Sequence, residues 1–134
     1  MVWSKSGKPQ PIERVICGFC YMSMGLIGLL YIIITGKSRQ SEFFQFHFIQ
    51  SIILGIMGFL VGWALSIVAD MLGGVLGLAG PAPRALFSTG MHYLIAGIGL
   101  IVTVLGIYGL IWAFLGKYAE MPLISKLARN NIQR

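Results

Sequence analysis

Cys17 and Cys20 stand three residues apart, a spacing that puts both thiols on one face of a helix. A metal would need more ligands than these two. If the apolar segments described below alternate direction through a membrane, Asp70 and His92 share a side with this pair and His47 lies opposite. A Cys17, Cys20, Asp70, His92 set is thus topologically allowed. The simpler reading is preferred, because free Cys behaves as a small apolar side chain. His47 and His92 could each ligate the magnesium of a chlorophyll-type pigment, since neutral imidazole is a common metal ligand. Each stands at the start of an apolar stretch, His47 among Phe43, Phe44, Phe46 and Phe48, His92 beside Tyr93. That is ordinary company at a lipid-water boundary, so no cofactor is expected. The sequence shows no nucleophile-base constellation, phosphate loop or pair of intramembrane carboxylates, so neither an enzyme nor an ion-coupled transporter is expected.

The elements that must carry these residues are written in the charge pattern. Val15 to Gly36, Phe43 to Ala69 and Ala85 to Gly116 contain no Lys, Arg, Asp or Glu. Roughly 20 apolar helical residues cross a hydrocarbon core of about 30 Å. The pattern predicts an all-α integral membrane protein with three transmembrane helices, at 16–35, 48–69 and 93–115, plus a short amphipathic interfacial helix near the C-terminus. The whole chain, 1–134, reads as one membrane domain. A soluble core is disfavoured by 57% hydrophobic against 10% charged residues. An outer-membrane barrel is excluded by period, because Leu26 to Ile34 is continuously apolar rather than alternating. The first stretch is about twice as long as a signal-peptide core and no clear small-residue cleavage pattern follows it, so it is expected to stay attached.

Three spans place the termini on opposite sides. Lys5, Lys8, Arg14 and Arg84 then fall on one side, and Lys37, Arg39, Lys117, Lys126, Arg129 and Arg134 on the other. The excess of basic residues predicts a cytoplasmic or stromal C-terminus. The net charge of +6 is accounted for by orientation and anionic lipid, and no nucleic-acid partner is expected. The segment 71–90 is apolar yet rich in Gly and Pro, which suggests an interfacial or re-entrant loop, with a flexible turn as the alternative.

Small residues recur at helix-contact spacing. Gly55, Gly58 and Gly62 mark one face of the second span, and Gly99, Thr103 and Gly106 mark one face of the third. Such faces let helix backbones approach where lipid removes the hydrophobic drive for association. They predict packing within the chain, against a second copy, or against other membrane subunits, with the lipid bilayer as the surrounding partner.

The tail 117–134 is the most distinctive text. Pro122 suits a helix start, and Leu123, Ile124 and Leu127 with Lys126 and Arg129 make a short basic amphipathic helix. Leu115-Gly116-Lys117-Tyr118-Ala119-Glu120-Met121-Pro122, followed by Ile124-Ser125, resembles the ending of the twenty-kilodalton membrane subunit family of the chloroplast inner-envelope translocon and its bacterial relatives. Phe46-His47-Phe48-Ile49-Gln50 and the Ser51 to Leu54 run after it resemble that family's entrance to its second span. The two motifs bracket about the C-terminal two-thirds of the chain.

The resemblance implies a helical membrane protein linked to preprotein translocation. Its expected location is a plastid inner membrane, or a bacterial, in particular cyanobacterial, plasma or thylakoid membrane. The family usually has four spans, with Arg where this chain has Gln45 and an acid where it has Gly55. Roles of those charges do not carry over. The alternative is a structural accessory subunit of a photosynthetic or respiratory membrane complex.

Overall fold

A computed structural model describes residues 9–35, 41–121 and 123–132. Among them the chain forms five helices and no strand: α1 (Pro11–Met22), α2 (Leu26–Thr35), α3 (Glu42–Gly77), α4 (Pro81–Phe114) and α5 (Ile124–Ile132). Two of them, α3 with 36 residues and α4 with 34, are long and apolar enough to cross a membrane. At about 1.5 Å per residue they are about 54 and 51 Å long. The chain divides into two compact units, Met1–Ile56 with Val104–Arg134, and Met57–Thr103.

In the first unit the expected span at 16–35 is corrected. It is two helices, of 12 and 10 residues, about 18 and 15 Å long, and neither reaches across a core of about 30 Å. The break lies at Ser23, Met24 and Gly25. The Gly25 amide donates to the Cys20 carbonyl across Met24, which takes a left-handed φ of 53°, and Gly25 follows at φ 87°. The Ser23 hydroxyl donates to the Phe19 carbonyl at 3.0 Å and accepts from the Ile27 amide at 3.2 Å, closing one helix and opening the next.

Contacts give the direction of each piece. Along α1, Arg14, Gly18 and Tyr21 meet Gly116, Phe114 and Gly109 in turn. Along the other arm Met24, Gly28 and Tyr31 meet Gly55, Phe48 and Phe44 in turn. Since α1 runs antiparallel to the end of α4 and α2 runs antiparallel to the start of α3, the segment is a helical hairpin that reverses at Ser23–Gly25. A charge-free run reports only that the segment avoids water, not how many times the chain reverses.

The helix ends of this unit are capped locally. Ser41 precedes α3, accepts the Phe44 amide at 3.3 Å and donates its hydroxyl to Glu13 at 2.9 Å, tying α1 to the start of α3. Glu13 is buried and also accepts the Gln10 amide. At the end of α4, Gly116 adopts φ 70° while the Lys117 amide donates to the Trp112 carbonyl, a Schellman stop. Cys17, Phe43, Phe44 and Ala113 form the buried apolar centre, with Ile16, Tyr21, Tyr31, Ile32 and Phe48 packed around it.

The second unit pairs the rest of α3 with the start of α4. They run antiparallel, since a Cβ on Gly58 would meet Val102 at 3.0 Å and one on Gly77 would meet Arg84 at 3.4 Å. The loop expected at 71–90 is helical except at residues 78–80, so the second and third spans extend beyond the expected 48–69 and 93–115. Gly80 at φ 130° makes the turn, and Pro81, whose missing amide costs nothing at a first helical position, opens α4. Large apolar side chains face outward here, including Phe59, Trp63, Val75 and Leu100.

The glycine positions divide. A Cβ on Gly55 would meet Met24 at 2.8 Å, and Gly58 sits against Val102. Gly62 and Gly99 have no atom within 4 Å of such a Cβ, and Gly106 has only Leu54 at 4.0 Å. Thr103 is exposed and spends its hydroxyl on the Gly99 carbonyl at 2.8 Å. Gly28 and Gly109, which the spacing did not single out, are more crowded than any of these: Phe48 and Cys20 crowd the first, Tyr21 and Met121 the second.

Candidate functional site: a buried polar cluster

The start of α3 carries Phe43, His47 and Gln50, three and four residues apart and therefore on one face. All three are buried, His47 and Gln50 at 0% exposure. Gln50 Nε2 donates to the Ala119 carbonyl at 3.0 Å and to Ser125 Oγ at 3.2 Å, while its Oε1 accepts from the Tyr21 hydroxyl at 2.9 Å. His47 Nε2 lies 3.0 Å from the Lys117 carbonyl, and Nδ1 lies 2.9 Å from the Tyr21 hydroxyl. Ser125 completes the set. Its Oγ accepts the Met121 amide at 2.6 Å and donates to the Ala119 carbonyl at 3.1 Å.

This arrangement answers a definite need. Beyond the last turn of α4 the backbone of residues 117–121 has no helix to satisfy it, and buried amides and carbonyls without partners cost about 1–3 kcal/mol each. His47, Gln50 and Ser125 supply those partners. Among the described residues, no buried side-chain nitrogen or oxygen lacks a hydrogen bond.

Aromatic rings wall the cluster. His47 lies edge-on to Phe43 at 4.6 Å and Phe46 at 5.4 Å, and stacks with Tyr118 at 6.3 Å between centroids. Phe46 in turn meets Tyr118 at 5.1 Å and carries the Arg129 guanidinium 5.8 Å above it. Partial burial, together with the nearby Glu42 carboxylate, pushes the Tyr118 phenol above its ordinary range, and Arg129 opposes the shift. Outside the wall, Arg129 pairs with Glu120 at 2.7 Å, and the Lys117 ammonium lies 5.4 Å from the Trp112 ring centroid.

The residues of the two sequence motifs therefore meet in one place. Phe46, His47 and Gln50 contact the backbone or side chains of Lys117, Tyr118, Ala119 and Ser125, with Glu120 and Ile124 on the same docked segment. Pro122 lies outside the described residues. The placement of His47 at a lipid-water boundary is corrected: it is enclosed by protein, because both its nitrogens have polar partners there.

Tyr21 was missed. Tyr21 offered one signal, a phenol four residues beyond Cys17 on the same face of α1. Cys17 and Cys20 are both free and fully buried. No group of three or more His, Cys, Asp or Glu among the described residues could hold a metal ion. His92 contacts Tyr93 and does not belong to the cluster.

No protein-family model, curated protein or solved structure matches this chain.

Proposed function

We propose that the chain is a small multi-pass membrane subunit of the preprotein-translocon type, without a catalytic centre, working by helix packing inside a larger assembly. The observation that carries the reading is the docking of the 117–125 segment onto Phe46, His47 and Gln50, which makes one recognition unit of two motifs about 70 residues apart. The buried polar atoms of the cluster bond to the protein itself, which supports a holding role for this cluster. Depletion of the protein should impair membrane insertion or export of reporter proteins. Unimpaired insertion and export would sink the translocon reading.

The second reading, a structural accessory subunit of a photosynthetic or respiratory complex, rests on the outward apolar side chains of α2, including Ile33 at 67% and Ile34 at 81% exposure. Ten residues are too short to meet both faces of a bilayer, and such a helix is suited to lie against a neighbouring subunit as well as lipid. Gentle solubilisation that yields only a monomer, with no partner protein, would count against this reading.

The helical hairpin keeps the expected cytoplasmic or stromal C-terminus and moves the N-terminal segment to the same side. With α3 and α4 as the crossing helices, the segments before α3 and after α4 share one side. Nine cations then stand there, Lys5, Lys8, Arg14, Lys37, Arg39, Lys117, Lys126, Arg129 and Arg134, against Arg84 alone on the other. The basic side is the cytoplasmic or stromal one. Reporters fused after Arg134 and before Pro9 should both be active inside, and activity of either only outside would overturn this topology.

A further inference from the structure

Two cations stand where α1 begins and α4 ends, and neither pairs with a carboxylate among the described residues. The Arg14 guanidinium lies across Gly116: a Cβ there would stand 2.7 Å from Nε and 2.9 Å from Cζ, so the missing side chain is what lets it lie there. Its Nε donates to the Pro9 carbonyl at 3.2 Å, which leaves the hydrogens of both Nη nitrogens for another ligand. The next residue after Gly116, Lys117, is exposed and holds its ammonium 5.4 Å from the Trp112 ring centroid. Among the described residues the one ion pair joins Arg129 to Glu120. Glu13, beside Arg14 in the chain, is buried and spends its carboxylate on the Ser41 hydroxyl and the Gln10 amide.

The surface next to these cations is apolar and open. Val15 and Phe19, four apart on α1, are exposed, and so are Phe114 and Leu115 at the end of α4. The two helices join this face where Phe19 meets Phe114 edge-on, with ring centroids 6.4 Å apart. Phe19 stands about 7.5 Å from Arg14 along the axis of α1, so positive charge at one level gives way to apolar surface at the next. That order matches a phospholipid, in which a phosphate is followed by acyl chains.

We propose that Arg14 and Lys117 form a seat for the phosphate of one anionic phospholipid, whose acyl chains lie along the face of Val15, Phe19 and Phe114. The inference rests on the membrane reading above, in which the start of α1 and the end of α4 stand on the basic side. The planar guanidinium pairs with two phosphate oxygens through its Nη hydrogens, while the ammonium adds a point charge. A zwitterionic lipid offers the same phosphate with a cationic group attached, which the two side chains repel, so the seat selects a net negative headgroup. Because Arg14 and Lys117 come from opposite ends of the chain, a bound lipid ties α1 to α4.

The test is native mass spectrometry of the full chain in mild detergent, titrated with dioleoylphosphatidylglycerol or with dioleoylphosphatidylcholine. One phosphatidylglycerol should bind about tenfold more tightly than phosphatidylcholine. Arg14→Gln and Lys117→Gln should each weaken that binding about fivefold, Arg14→Lys should restore part of the loss because it keeps the charge without the fork, and Lys126→Gln on α5 should leave it unchanged. Lys117 is exposed, so its variant keeps the fold whatever Arg14→Gln does. Equal binding of the two lipids overturns the proposal, as does wild-type affinity in Lys117→Gln or in a folded Arg14→Gln, or an equal loss in Lys126→Gln. Displacement of the lipid by millimolar inorganic phosphate would reveal a free-anion site and overturns it too. The membrane reading fails separately: a protein that alkaline carbonate strips from membranes is not integral, whereas an integral protein indifferent to headgroup charge loses only this seat.

Discussion

Gln50 on α3 and Ser125 on α5, 75 positions apart in the chain, are joined by a buried hydrogen bond of 3.2 Å from Nε2 to Oγ. The same amide nitrogen reaches the Ala119 carbonyl at 3.0 Å, so one side chain holds both the extended tail and the helix that follows it.

Gln50→Leu should therefore free the tail without removing α3. The substitution removes one of the two donors to the Ala119 carbonyl, the tie to Ser125 and one of the two partners of the Tyr21 hydroxyl, a loss of about 1–2 kcal/mol. Limited proteolysis is the readout: cleavage within 117–132 should appear early, with the α3 and α4 segments still protected. An unchanged digestion pattern would remove Gln50 from its assigned place.

Helix approach and the polar cluster are coupled at Gly109. A methyl group there collides with the Tyr21 ring and the Met121 side chain, so Gly109→Ala should push Tyr21 off its two partners and cost about 1–3 kcal/mol. Gly62→Ala, with nothing within 4 Å, should be neutral or slightly stabilising, because alanine is the better helix former. Thermal unfolding in the same detergent compares the two. Equal melting temperatures would contradict the contact.

Cys17 and Cys20 are fully enclosed and should resist a membrane-impermeant maleimide in the native protein, then react together once it is unfolded. Mass spectrometry of the labelled chain reads the count. Rapid native labelling of either thiol would show that α1 does not stay packed against α4.

At Tyr118 the sign of the pH dependence can be stated. The phenol is raised from its ordinary value of 10.0, so the folded protein keeps its proton where the unfolded chain has lost it. Stability from this group is present below pH 10.0 and falls as the pH rises beyond it. Tyr118→Phe should flatten that part of the stability profile, measured by denaturant unfolding between neutral and strongly basic pH. An unchanged slope would show that another group governs it.

The sequence exposed the helical class and the two long apolar helices, because absence of charge over more than 20 residues is a solvent property that survives any packing. It also drew attention to 46–50 and 117–125, which the structure brings into contact. What it hid were the reversals. Ser23, Met24 and Gly25 break α1 from α2 within an unbroken apolar run, while Gly73, Gly74 and Gly77, which looked like loop, stay helical because neighbouring turns of α3 carry them. Burial of His47 was hidden for a related reason: Phe43 and Phe46 are compatible with lipid headgroups or a protein core, and only the return of residues 117–119 decides between them.

On α4, exposed apolar side chains run from Leu86 to Phe114, about 42 Å along the helix. A hydrocarbon core of about 30 Å could hold that length only if the helix leaned by about 45°, beyond the usual range of about 0–40°. The remainder falls to the lipid or to a helix end standing among the headgroups, at a fraction of a kcal/mol per Å. With α4 as a membrane-crossing helix, as proposed above, the acyl-chain length of the surrounding bilayer would enter the protein's energy directly, and thick membranes should accommodate it more readily than thin ones.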